Sequence, residues 1–129
     1  MVIYRTRPIV SDEQLNELFV SAWGNFTPTT FDHVRERSLT YICAYDEDKL
    51  IGFVNVAWDG GIHAFILDTT VHESYQRQGI GGVLVERASS IAETAGITWL
   101  HADFEPHLVD FYRACGFRHT EAGLRNLRE

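Results

Sequence analysis

The chain has 129 residues, 45% of them apolar and 22% charged, and carries a formal net charge of −7. That length suits one domain spanning residues 1–129, with enough apolar material for its own core. The acidic balance argues against a nucleic-acid binder, which would show a basic face, while the unbroken apolar runs are far too short to span a bilayer; the charge is compatible with a cationic or amine partner, though solubility alone is its simpler reading.

Residues 2–5 read as a first strand. Ser11 has the chemistry of a helix N-cap, and Gln14 three places on completes a capping box. Leu15, Leu18, Phe19, Ala22 and Trp23 recur at helical spacing, and Gly24 stops that helix. Residues 25–28 form a loop and residues 31–38 a short second helix. Strands follow over residues 39–45 and 50–58, joined by the polar turn 46–49. Asp59-Gly60-Gly61 has hairpin-turn chemistry and leads into a third strand of that meander, residues 63–71.

A polar connection, His72-Glu73-Ser74-Tyr75, then leads through Gln76-Arg77-Gln78-Gly79-Ile80-Gly81-Gly82 into a long helix. Its apolar positions are Val83, Leu84, Ala88, Ile91, Ala92 and Ala95, and Gly96 ends it. Residues 97–103 are another strand. Glu105-Pro106 opens a last helix, with proline where its missing N–H does no harm. Leu108, Phe111, Tyr112 and Cys115 share one face, Gly116 caps it, and Phe117 packs back on the last turn. A final strand or strand pair is expected over residues 117–127. The order β-α-α-β-β-β-α-β-α-β predicts an α/β (α+β) fold. Its mixed sheet combines an antiparallel meander with one parallel crossover and has helices on both faces.

The glycine segment is the most informative part. A strand feeding a glycine-rich turn that opens a helix presents unpaired N–H groups and the positive end of a helix dipole, which suits an anion. Gly79 and Gly81 allow close approach or positive φ, and Arg77 adds charge. The mononucleotide P-loop requires a lysine after the glycines, and none follows. The dinucleotide fingerprint requires glycine where Leu84 stands.

The run Val71-x-x-x-Tyr75-Gln76-Arg77-Gln78-Gly79-Ile80-Gly81 resembles the acyl-CoA signature of GCN5-related N-acetyltransferases (GNAT). Thirty residues on, Phe111-Tyr112-Arg113-Ala114-Cys115-Gly116-Phe117 is similar to that family's second landmark. The resemblance covers essentially the whole chain and implies acetyl-CoA as co-substrate, with direct transfer of the acyl group to a primary amine. It implies that the backbone of Thr69, Thr70 and Val71 binds the pantetheine arm and that amides of Gln76, Arg77, Gln78, Gly79, Ile80, Gly81 and Gly82 hold the pyrophosphate. Tyr112 would then lie near the CoA sulfur. One position departs from the family pattern: Glu105 stands where many members carry a cofactor-contacting Asn, leaving helix capping as its other role.

Tyr112 is the candidate general acid, because a phenol within hydrogen-bond reach can protonate a departing thiolate. Asp68 is the candidate base, with His101 and Asp103 as neighbours on one face of the next strand. No Cys/His spacing supports a metal site, so none is expected. Cys43 and Cys115 read as buried structural thiols. Two unpatterned cysteines and no secretory pattern in residues 1–5 give the expectation of a cytoplasmic setting. Trp23, Phe26, Phe31 and Trp58 are candidates for an acceptor pocket, Trp23 reading more simply as core. The acceptor is expected to be a small molecule or a protein amine, without nucleic-acid or membrane partners; a homodimer through sheet edges or helices is compatible. The alternative to an enzyme is a non-catalytic acyl-CoA-binding or sensing module.

Overall fold

A computed structural model describes all 129 residues. The strands are β1 (Val2–Thr6), β2 (Ser38–Asp46), β3 (Lys49–Trp58), β4 (His63–Val71) and β5 (Trp99–Ala102). The helices are α1 (Asp12–Trp23), α2 (Asp32–Arg35), α3 (Ile80–Thr94) and α4 (Val109–Ala114). Single 3-10 turns cover Glu73–Tyr75 and Pro106–Leu108. The five strands form one sheet in the order β1-β2-β3-β4-β5. The first four pair antiparallel, and β4 and β5 pair parallel across the α3 crossover. This is the mixed sheet expected from the sequence.

Alternation along the strands builds a separate core on each face. Ile42 and Ala44 of β2, Val54 and Val56 of β3, and Ala64 and Ile66 of β4 pack under α3, against Ile80, Leu84 and Ala88. Cys43 and Tyr45 of β2 and Phe53 of β3 pack on the other side under Leu15, Leu18 and Phe19 of α1. The capping box forms as read: Ser11 Oγ accepts from the Gln14 N–H at 3.1 Å, and Gln14 Oε1 accepts from the Ser11 N–H at 3.0 Å. Gly24 then turns the chain with φ +73°. At the β3–β4 turn, Asp59 Oδ1 accepts from the Gly61 N–H at 2.7 Å and Gly60 has φ +81°.

Several expectations are corrected. No strand forms after Phe117: residues 118–129 are exposed and irregular. That stretch is rich in charge, is broken by Gly123, and has no sheet neighbour to satisfy its backbone. The second helix is one turn, because the chain is already in β2 at Ser38, whose hydroxyl bonds to the buried Asn55 side chain. The strand expected over 97–103 shortens to β5. The last helix begins as the 3-10 turn at Pro106. In α3 the buried stripe runs Ile80, Leu84, Val85, Ala88, Ala92, while Val83 sits at the rim and Ala95 is exposed. On α1, Trp23 is 45% exposed and stacks on the outside of Phe19.

Candidate active site

The site begins where β4 and β5 part. Their pairing runs from His63↔Trp99 to Ile66↔Ala102 and stops there, while β4 continues beside β3 as far as Val71↔Gly52. Residues 67–71 therefore have a sheet partner on one edge only. The departure coincides with a β-bulge: Asn55 pairs with Leu67 and Phe53 with Thr70, so Asp68 and Thr69 stand opposite Val54 alone. Asp68 carries the distortion in its main chain, with φ +57°. A non-glycine residue pays steric strain in that region, though Asp is among the residues that tolerate it best. The Thr70 hydroxyl donates to the Asp68 carbonyl at 2.9 Å, which braces the bulge.

The glycine loop lies past the end of this open edge. Gln76 Nε2 donates to the Val71 carbonyl at 3.1 Å and ties the loop to the strand. Arg77 and Gly79 both take positive φ, +65° and +80°, and Gly79 is the N-cap of α3 with no side chain to cap it. The main-chain N–H groups of residues 76–82 make no backbone hydrogen bond of good geometry within the protein. Free donors at the start of a fifteen-residue helix form an anion cradle. Arg77 and Gln78 are exposed beside it, whereas the Ile80 side chain is buried in the core, so only its N–H faces a ligand. A Cβ on Gly81 would meet Phe111 at 3.4 Å and Val71 at 3.7 Å, while at Gly79 and Gly82 it would meet nothing within 4 Å. The loop is thus closed on the Phe111 side and open on the other.

α4 carries Tyr112 to the parted strands. Its ring is 7% exposed, stacks on Phe104 at 4.6 Å, and meets Phe111 and Phe117 edge to face. The Gly116 turn fixes that arrangement: Gly116 has φ +93°, and the Phe117 N–H returns to the Tyr112 carbonyl at 3.0 Å. Burial pushes the Tyr112 phenol above its ordinary value; the nearby Thr69 hydroxyl opposes this, and Cys115 and Asp103 add to it. Tyr112 is therefore a protonated donor at neutral pH. Thr69 Oγ1 is itself buried and has no hydrogen-bond partner. It lies beside the phenol at the open edge, close enough to act on it yet without a hydrogen bond of good geometry. The free N–H groups, the unpaired strand edge and this hydroxyl fit the phosphates and amide-bearing arm of CoA.

The remaining candidates are distributed unevenly. The Asp68 side chain reaches solvent at the bulge, yet the surrounding protein desolvates its carboxyl enough to raise its pKa. His101 lies one residue before β5 ends, with its Nε2 2.9 Å from His63 Nδ1 and its ring 4.6 Å from Phe65. Asp103 falls beyond β5. Glu105 is exposed and makes no capping bond, which corrects the capping role expected of it. Trp23, Phe26 and Phe31 gather around Phe19. Trp58 is not among them: it pairs with Ala64 at the far end of β3. Cys43 is fully buried and its thiol is pushed up to about 12, which makes it inert. Cys115 is half-buried and also raised by burial. Sequence reasoning missed Phe104, whose stacking orients Tyr112; an aromatic residue just before the Glu105-Pro106 turn was the available signal.

Comparison with known proteins bears on the family and the fold. The family model described as "Acetyltransferase (GNAT) family" matches residues 10–117. GCN5-related N-acetyltransferase 1, chloroplastic, from Arabidopsis thaliana is 30% identical over 129 residues, covering 98% of this chain and 66% of its own length. An uncharacterized N-acetyltransferase, ycf52, from Pyropia yezoensis is 30% identical over 79 residues, 61% of this chain and 45% of its own. The chain thus spans about half to two thirds of the length of these curated relatives. A GNAT-family acetyltransferase structure from Streptococcus pneumoniae TIGR4 superposes with a TM-score of 0.79 at 28% identity, covering 98% of this chain and 99% of that one. The fold and site define an acetyltransferase-type domain. The chain belongs to the GNAT acetyltransferase family.

Proposed function

We propose that this protein transfers an acetyl group from acetyl-CoA to a primary amine, with Tyr112 as general acid. The observation that carries this reading is the convergence of the open β4 edge, the free N–H groups of residues 76–82 and a buried, protonated phenol beside Thr69. Acetyl-CoA, when bound, supplies an activated acyl carbonyl and a thiolate leaving group. The loop amides and Arg77 would hold its phosphates, and the free edge of Thr69, Thr70 and Val71 would take its amide-bearing arm as an added strand.

In the transfer, the carbon–nitrogen bond forms as the carbon–sulfur bond breaks, so one proton must leave the amine and one must reach sulfur. Tyr112 gives the second. Its raised pKa keeps the proton available across the neutral range, and its burial between Phe104 and Phe111 excludes competing water. Asp68 is proposed to take the first, directly or through water. Desolvation raises its proton affinity, which makes it a better acceptor near neutrality than an ordinary carboxylate. A free N–H at the open edge would polarise the acyl oxygen. The acceptor belongs to the broad class of small-molecule or protein amines, because a donor site of this kind does not select among them.

A purely binding module has no need of a phenol buried at the donor end of the site, so the enzymatic reading is preferred. Calorimetric titration with acetyl-CoA, repeated on Gly81→Glu, tests the donor half. Micromolar binding lost in the variant supports it, and a folded wild type that binds no acetyl-CoA refutes it. An amine panel monitored for released thiol tests the rest: turnover abolished by Tyr112→Phe with donor binding intact supports the acid, and undiminished turnover removes it.

A further inference from the structure

We propose that Tyr75 and Asp46 form a clamp that positions the phosphate-binding loop for its ligand, a role resting on the donor-site reading above. The loop needs such a device. It holds two residues at positive φ, and its helix start has no side-chain cap. Its other side-chain bonds are short-range: Gln76 to Val71, and the Ser74 N–H to His72 Nδ1 at 3.1 Å. The Tyr75 hydroxyl reaches much further, donating to Asp46 Oδ2 at 2.6 Å across a sequence separation of 29 residues.

The anchor point is rigid. Asp46 is the last residue of β2 and pairs with Val2 on one side and Lys49 on the other. Tyr75 is half-buried, packs against the α3-side core, meets His72 edge to face at 5.8 Å, and has the Lys49 ammonium 5.8 Å from its ring centre. The hydrogen bond to the Asp46 carboxylate, ahead of partial desolvation, holds the Tyr75 phenol above its usual range, so the donor proton stays in place at neutral pH. A short bond to an ionised acceptor is the stronger kind. It links the head of the loop to the antiparallel meander, whereas the loop's far end is held by α3. The N–H array between these two fixed points is therefore spaced before any ligand arrives, which spares the ordering cost of binding.

Tyr75 and Asp46 are positioning residues on this view, with no contact to the reacting atoms. The test compares Tyr75→Phe, Asp46→Ala, Asp46→Asn and the double variant Tyr75→Phe/Asp46→Ala, each checked for an unchanged melting profile. The measurements are Kd for CoA by calorimetry, the rate of trypsin cleavage after Arg77 in the ligand-free protein, and KM and kcat for acetyl-CoA. The expected result is about a tenfold weaker Kd for each of the first two variants, in keeping with a charge-assisted bond. Asp46→Asn, which keeps an acceptor oxygen, should lie between them and wild type. The double variant should be no worse than either single, as for two residues acting through one contact. KM for acetyl-CoA should rise in parallel with kcat unchanged, and cleavage after Arg77 should quicken in all four. Additive losses, a fall in kcat alone, or unchanged Kd and cleavage would overturn the clamp. Wild-type protein that binds no CoA would end the donor reading instead, and the cleavage rates would then decide the clamp separately.

Discussion

Residues 63–66 of β4 are bonded to β3 on one edge and β5 on the other, whereas residues 67–71 keep β3 and lose β5. The first stretch sends Ala64 and Ile66 into the core under α3. The second holds a left-handed Asp68, an unpartnered Thr69 hydroxyl and a free edge. One strand thus serves as scaffold over half its length and as binding surface over the other half. Sheet pairing is satisfied where stability is needed and left open where a ligand can complete it. If this division is real, substitutions in the two stretches should separate stability from function.

The largest expected effect is on turnover. Tyr112→Phe keeps the ring stack with Phe104 and removes the proton donor, so kcat should fall at least about 10²-fold, the usual scale for a general acid, with little change in melting temperature or CoA affinity. In the closed stretch, Ile66→Ala should cost about 2–5 kcal/mol of stability, as for other buried large-to-small changes, measured by urea denaturation. Its Kd for CoA in the folded protein should stay within about twofold of wild type, well under the tenfold that 1.4 kcal/mol represents; a larger change would blur the division. Gly81→Glu should weaken CoA binding about 100-fold, because the new side chain must find room beside Phe111 and brings a negative charge to an anion site.

The pH dependence sharpens the same contrast. Tyr112 must be protonated to act, and its pKa is raised, so the alkaline limb of kcat should fall above the ordinary tyrosine value of about 10. Asp68 must be ionised to accept a proton, and its pKa is also raised. The acid limb should therefore lie above the usual aspartate value of about 3.9, and Asp68→Asn should abolish it. For stability the sign is opposite: a raised Asp68 pKa favours the folded state at low pH, and that contribution is lost as pH rises through the folded value. The smallest expected effect on stability is that of Asp68→Gly, which relieves the positive φ and should change stability by less than about 1 kcal/mol, even though turnover falls with the loss of the carboxylate.

Much of this was legible in the sequence, for physical reasons that differ by element. The capping box at Ser11, the Asp59 turn and the glycine-opened helix are local motifs, in which a few adjacent residues fix the backbone. The two landmarks around Gly79 and Tyr112 could be read because their order along the chain matches their meeting in space. What escaped depended on partners distant in sequence. The final strand or strand pair expected over residues 117–127 needs a neighbour, and nothing pairs with residues 118–129. Glu105 has a capping residue's position without a capping bond. Trp58 belongs to the far end of β3, away from the Phe19 cluster, because its place is set by register with Ala64. The pairing of Tyr75 with Asp46 spans two elements and has no signature in either.

The bulge at Asp68 also acts as a phase slip. Leu67 and Thr70 stand opposite Asn55 and Phe53, two positions on the same side of β3. Counting by twos along an unbroken strand would put Leu67 and Thr70 on opposite sides. The single supernumerary residue resets the alternation and brings Thr69 round to Tyr112. Removing Asp68 by deletion, rather than replacing it, would therefore leave Leu67, Thr69 and Thr70 opposite Asn55, Val54 and Phe53 in plain alternation, erasing the bulge while keeping Thr69 on the Tyr112 side.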